Sequence, residues 1–215
     1  MSHLGLTQAL SGAVEVVCGP MFSGKTEELI RRVRRAQIAR QRVQIFKPII
    51  DNRYHESNVV SHSSLSAEAT PVTASIEILA KVYDSTRIVT IDEVQFFDEE
   101  IIIVVKKLSR RGIRVILAGL DQDFQGNPFG PMPELLCLAD RVDKIQAICT
   151  VCGAPASKTY RKPQAQTEEQ VLVGESDVCE ARCTSHWECA QQDEDLLAFS
   201  YQLGSANRQE EVNLP

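Results

Sequence analysis

Val14-Glu15-Val16-Val17-Cys18-Gly19-Pro20-Met21-Phe22-Ser23-Gly24-Lys25-Thr26-Glu27-Glu28-Leu29-Ile30 decides the fold. Its first five residues form a short apolar run, which reads as a buried strand. Residues 19–26 fit the pattern G-x-x-x-x-G-K-[ST]. Leu29, Ile30, Val33 and Ala36 then recur at helical spacing, with Arg31, Arg32, Arg34 and Arg35 on the other faces. Glycines in such a loop let the backbone curl until successive N–H groups face inward. The following helix adds the positive end of its dipole. Gly19, Pro20, Met21, Phe22, Ser23, Gly24, Lys25 and Thr26 are therefore expected to line a phosphate site. Lys25 should reach the β- and γ-phosphates of a nucleotide, and the Thr26 hydroxyl should hold Mg²⁺. An ordinary strand-to-helix turn is the competing reading.

Working outward, strands are predicted at 43–47, 87–91, 115–119 and 144–148. Helices are predicted at 75–82, 98–111 and 134–139, with Gly112 as a C-terminal stop. Residues 51–66 and 124–133 read as loops. Strands alternating with helices specify an α/β fold, with a parallel sheet covered on both faces. The division expected is a loose tail at 1–12, an α/β core at 13–148, a small metal-stapled module at 149–190 and a polar tail at 191–215.

The strand at 87–91 runs into Asp92-Glu93. Asp92 suits an outer role around Mg²⁺, and Glu93 suits proton abstraction from an attacking hydroxyl or water. Asp92-Glu93-Val94-Gln95 also resembles the D-E-x-Q box of helicases, but a helicase needs two such lobes and a basic track. This chain has one lobe, and 23 basic against 29 acidic residues give a net charge of −6. That balance disfavours broad binding to nucleic acid or anionic lipid. No run approaches the ~20 apolar residues of a membrane helix. The first residues lack the basic and apolar regions of a secretion signal, so a cytoplasmic protein is expected.

Seven cysteines, an odd number, argue against a disulfide framework. Cys149-Thr-Val-Cys152 and Cys183-Thr-Ser-His186 are two C-x-x-[CH] pairs separated by 30 residues. Three thiolates and one imidazole suit a closed tetrahedral Zn²⁺ site, structural because all four positions are filled. Such a metal would close a loop too polar to fold unaided.

The P-loop, the D-E-x-Q-F-F stretch and the paired metal ligands, in this order, resemble the cytosolic, zinc-containing thymidine kinases. Lys47-Pro48, Asp51-Asn52-Arg53-Tyr54 and Ser61-His62 match as well. The most diagnostic stretch is Gly119-Leu120-Asp121-Gln122-Asp123-Phe124-Gln125-Gly126-Asn127-Pro128-Phe129-Gly130. The likeness runs from about residue 14 to about residue 188. It implies a RecA-like P-loop NTPase core and a lasso tied down by zinc. It also implies ATP-dependent phosphorylation of the thymidine 5′-hydroxyl to dTMP, in nucleotide salvage for DNA synthesis. Homotetrameric assembly, with no nucleic acid or membrane partner, is implied too.

Carried over residue by residue, Glu93 looks like the base. Asp51, Arg53, Asp92 and Gln95 join the P-loop on the ATP and Mg²⁺ side. Met21, Phe96, Leu120, Phe124, Phe129 and Thr159 look like the thymine pocket, and the Val171, Leu172, Val173 and Gly174 backbone looks like the lasso that bonds the base. Two positions depart from the family pattern: Cys179 stands where a tyrosine is usual, and Glu175 where a glycine follows Gly174. Cys179 is also a competing thiol for the metal. Two other readings stand beside this one, a zinc-ribbon P-loop ATPase acting on nucleic acid and a non-catalytic nucleotide-binding scaffold.

Overall fold

The structure is a computed structural model and describes residues 12–49, 58–60, 66–162 and 178–188. In chain order, β1 (Val14–Cys18) leads through the glycine loop into α1 (Lys25–Ile38) and β2 (Val43–Pro48). β3 (Asn58–Val60), β4 (Ser66–Glu68), β5 (Thr70–Val72), α2 (Ile76–Lys81) and β6 (Ile88–Ile91) follow. A 3-10 turn (Val94–Phe96) precedes α3 (Glu100–Arg110), β7 (Arg114–Gly119), α4 (Met132–Leu138) and β8 (Arg141–Lys144). The cysteine-rich part contributes β9 (Ala147–Ile148), β10 (Pro155–Ala156), β11 (Lys158–Arg161) and β12 (Cys179–Arg182).

Six strands form one sheet in the order β5-β2-β6-β7-β1-β8, every neighbouring pair parallel. Alternation divides its apolar residues between two faces. Ile88, Ile116 and Ala118 pack with Leu29 and Ala36 of α1. Val16, Val89, Ile91, Val115 and Leu117 pack on the other face, with Ile78 of α2, Leu135 of α4 and the α3 row Ile101, Val104, Val105 and Leu108. That row repeats at i, i+3, i+4 and i+7, and each side chain fully buried stabilises by about 1.5–3 kcal/mol. A charge at Val104, wholly enclosed, would break it. Helix α3 ends where Gly112 turns left-handed at φ 78°.

The central strands fall where the sequence places them, and the edges do not. The last strand of the sheet is Arg141-Val142-Asp143-Lys144 rather than 144–148, because an edge strand carries charges that a central strand cannot. Ala147–Ile148 instead pairs with Pro155–Ala156 in a separate ribbon. At the opposite edge, β5 contains Pro71, tolerable only where one side of the strand needs no partner. Within the stretch read as a loop at 51–66, Asn58–Val60 pairs antiparallel with Ser66–Glu68. Helix α4 begins two residues earlier than expected, since Pro133 sits in its first turn, where the missing N–H costs nothing.

Arg32 corrects the reading of α1 as one apolar face with arginines elsewhere. It is buried and donates to Glu28 Oε1 at 2.8 Å, Glu15 Oε2 at 2.6 Å and Asp143 Oδ2 at 2.6 Å. A buried guanidinium persists only when its donors are satisfied. This one ties α1 to β1 and to the edge strand β8.

Candidate active site and metal cluster

The C-terminal ends of β6, β7 and β1, neighbours in the sheet, open on one edge, the usual ligand side of a parallel sheet. After β1 the backbone goes left-handed at Phe22 (φ 62°) and Gly24 (φ 85°). A Cβ on Gly19 would lie 2.2 Å from the Ile145 carbonyl oxygen, so the loop can pass there only as glycine. Lys25 is buried; its Nζ donates to the Pro20 carbonyl at 2.7 Å, and Ser23 Oγ donates to the same carbonyl at 2.8 Å. Burial pulls the Lys25 pKa below the ordinary lysine value, while Glu93, Asp92 and Asp121 favour its charged form. Three carboxylates thus share the field of one ammonium.

Asp92 follows β6 and is buried. Thr26 Oγ1 donates to its Oδ2 at 3.4 Å, and the Glu93 N–H to its Oδ1 at 3.0 Å. Burial, then the charge of Glu93, push the Asp92 carboxyl up to about 7. Glu93 itself adopts left-handed backbone, φ 51° and ψ 41°, which costs a non-glycine residue about 1–2 kcal/mol. Its Oε2 accepts a hydrogen bond from Gln95 Nε2 at 2.6 Å.

Gln95 is enclosed, and its Oε1 accepts the Leu120 N–H at 3.1 Å. A single side-chain amide therefore joins the acid after β6 to the first residue after β7. Gly119 must stay small beside it, because a Cβ there would lie 2.6 Å from Gln95 Oε1. Gln95, grouped by the sequence with the ATP and Mg²⁺ residues, bonds to Glu93 and Leu120.

The segment after β7 is braced from within. Asp123 Oδ1 accepts the N–H groups of Gln125 and Asn127, both at 2.9 Å, and Phe129 N–H donates to the Asp121 carbonyl at 3.3 Å. Phe96 and Phe129 meet edge to face, with centroids 5.3 Å apart at 87°. Asp121 is buried and paired with Lys144 Nζ at 2.6 Å; the hydrogen bond to Asp121 raises the Lys144 pKa. The Phe124 ring lies under the Arg161 guanidinium at 3.7 Å. Thr159, on β11, accepts the Met21 N–H at 3.0 Å, so the cysteine-rich part touches the phosphate loop directly.

Cys149 and Cys152 flank the turn between β9 and β10. Cys183 follows β12, and His186 lies in a helical turn at 184–188. One ligand atom from each of the four lies within 4.8 Å of the others. Cys152 and Cys183 sulfurs are 3.8 Å apart, and His186 Nδ1 is 3.1 Å from Cys183 Sγ and 3.8 Å from Cys149 Sγ. A tetrahedron with metal–sulfur bonds of about 2.3 Å has sulfur–sulfur edges of about 3.8 Å, so a closed tetrahedral ion fits this donor set. The backbone N–H of Cys183, with those of Cys152 and Val151, outweighs desolvation and brings the Cys149 thiol down to about 6. The cluster can hold a metal. Cys179 stands outside it, in β12 opposite Arg161. Cys18 is buried behind the phosphate loop, and burial pushes its thiol up to about 11.

Asp51, Arg53, Val171, Leu172, Val173, Gly174 and Glu175 lie outside the described residues. A sequence model of the family described as thymidine kinase matches residues 12–187. The chain belongs to the thymidine kinase family. It is a kinase of the nucleoside type, and the family implies ATP and thymidine as its substrates. The matched region spans the phosphate loop, the acid after β6 and all four cluster residues of this thymidine kinase homologue. Among the described residues, no helix is long and apolar enough to cross a membrane. Sequence reasoning missed Arg161, Asp123 and Trp187. Asp123 lies in the diagnostic stretch at 119–130, and Trp187 is the sole tryptophan and directly follows a metal-type histidine.

Proposed function

We propose that the protein transfers the γ-phosphoryl group of ATP to the 5′-hydroxyl of thymidine, giving dTMP, with deoxyuridine as a second acceptor. The observation that carries this reading is the Gln95 bridge. It ties the Glu93 carboxylate to the Leu120 backbone, on the same sheet edge as Lys25, in the segment pair that also carries the aromatic contact of Phe96 with Phe129. An acid set between a phosphate loop and an apolar, aromatic wall suits a sugar alcohol attached to a flat base.

The 5′-oxygen attacks the γ-phosphorus, and the bond to the β,γ-bridging oxygen breaks. The hydroxyl proton passes to Glu93; Gln95 engages Oε2, so Oε1 is assigned that role. Lys25 and the loop N–H groups take up charge on the transferred group, and most of the barrier is lowered by positioning and charge neutralisation. Thr26 and Asp92, both oxygen donors in contact, would hold Mg²⁺, which supplies charge neutralisation on the phosphates when bound. Cys149, Cys152, Cys183 and His186 would hold Zn²⁺, which supplies a fixed corner for the β9–β12 segments when bound. The same reading carries the family's homotetrameric assembly and cytoplasmic salvage role.

A nucleoside panel with ATP and Mg²⁺, read as nucleoside monophosphate by chromatography, tests the assignment. Thymidine should be the best acceptor, deoxyuridine weaker, and purine nucleosides inert. ATP hydrolysis indifferent to nucleosides, or stimulated by polynucleotide, would replace it with an ATPase reading.

A further inference from the structure

Trp187 is the only tryptophan of the chain, and it sits one residue beyond His186 of the metal cluster. It is nearly buried, yet much of what covers it comes from elsewhere in the fold. Its indole Nε1 donates to the Phe124 carbonyl at 3.2 Å, across 63 residues of sequence. Its ring lies close against Gly126: a Cβ there would stand 2.8 Å from Cη2 and 3.1 Å from Cζ2. Gly126 has φ 82°, so the close approach and the left-handed turn both require glycine. Lys158 Nζ lies 4.8 Å from the ring centroid and also donates to Gln122 Oε1 at 2.8 Å. At its other end Trp187 is anchored to the cluster, its N–H donating to the Cys183 carbonyl at 3.0 Å. Residue 187 thus joins the metal-ligand turn, through its backbone N–H, to the turn at 122–126, through its indole.

We infer that Trp187 is a positioning residue: its indole locks the 122–126 turn in place and so couples metal occupancy of the cluster to the shape of the acceptor pocket. The inference rests on the proposed reading of Phe124 as part of that pocket. Trp187 touches no reacting atom. It acts through the Phe124 carbonyl and the Gly126 backbone, while Arg161 of β11 lies over the Phe124 ring. A pocket held this way loses acceptor affinity before it loses phosphoryl transfer, because Glu93, Gln95 and the phosphate loop are braced by the sheet.

Two arms test it. In the first, the unmodified full chain is stripped with a chelator and the emission of its single tryptophan is followed. The maximum should shift to longer wavelength, acrylamide quenching should rise at least twofold, and zinc should restore both while far-ultraviolet circular dichroism of the core barely changes. An emission spectrum indifferent to metal removal overturns the coupling, whatever the enzyme's substrate proves to be.

In the second, Trp187→Phe keeps an aromatic ring, though a smaller one, and removes the donor, and Gly126→Ala attacks the same contact from the opposite side. Each should raise the thymidine KM about five- to tenfold, with kcat and the ATP KM within twofold and one zinc per chain retained. An unchanged thymidine KM with zinc retained overturns the inference, as does loss of zinc from Trp187→Phe, which would make the residue a plain support of the cluster. Gly126→Ala lies outside the module and decides the matter if Trp187→Phe does not fold. If the unmodified chain phosphorylates no nucleoside, the proposed function fails while the first arm still reads the coupling.

Discussion

The phosphate loop and the cysteine-rich module face each other across the same site, and they are held in place by different physics. The loop hangs from three central parallel strands whose side chains are almost entirely enclosed on both faces. The module has short ribbons, four small buried residues around Ala147 and Cys149, and guanidinium-on-ring contacts such as Arg182 over Tyr160 at 3.4 Å. Hydrophobic packing fixes the first without any bound group; the second needs its ligands brought together. The division suits the chemistry. On the proposed function, a phosphate cradle gains from rigidity, whereas groups that receive an acceptor gain from being able to adjust.

The sharpest way to break this comparison is at Glu93, on the packed side. Glu93→Gln should lower kcat about a thousandfold, the scale of lost base catalysis, with ATP affinity unchanged in a binding titration. Turnover within tenfold of the parent would show that another group takes the proton. Gln95→Ala comes next. It frees the Glu93 carboxylate and leaves the Leu120 N–H without its partner, so kcat should fall about a hundredfold, the scale of a misplacement near 1 Å. Gln95→Glu, which puts a second carboxylate against Glu93, should do no better.

Arg32→Ala probes stability rather than rate. Glu15 keeps Arg114, Glu28 keeps Arg31 and Asp143 keeps Arg141, so the loss should be about 2 kcal/mol in urea unfolding, below the cost of a fully orphaned buried charge. The acid side should respond too. Glu28 is held down at about 2, by Arg31 first and Arg32 after desolvation, so its contribution is present above the unfolded value near 4.3 and disappears as pH falls toward 2. Without Arg32 that acid limb should move to higher pH.

The smallest effect belongs to the module. Cys152→Ser or chelation should raise the thymidine KM up to about tenfold while the main unfolding transition of the sheet stays cooperative. Loss of the whole transition would mean that the two regions fold as one unit.

The same contrast explains what the sequence could say. Central strands such as Ile88–Ile91 and Arg114–Gly119 announce themselves as apolar runs because both faces are covered. The edges, Thr70–Val72 with its proline and the charged Arg141–Lys144, read as loop because an exposed edge is composed like one. Motif spacing singled out Lys25, Thr26, Asp92, Glu93 and the two C-x-x-[CH] pairs, since each is a local pattern, and the fold brings the two pairs together. Bonds between distant segments were invisible: Gln95 to Leu120, Thr159 to Met21 and Trp187 to Phe124 join residues that no periodicity relates. Arg32 misled for a related reason, since its partners Glu15 and Asp143 come from opposite sides in the chain.

The cluster draws two of its ligands from before residue 162 and two from after residue 178, and β11 and β12 are laddered together beside it. A protease that severs one peptide bond between those points would therefore leave both fragments on the same particle. Such a nicked enzyme should elute as intact protein on a sizing column and separate only in denaturant with chelator present. Cleavage between residues 162 and 178 would then show first as altered kinetics, well before any loss of mass.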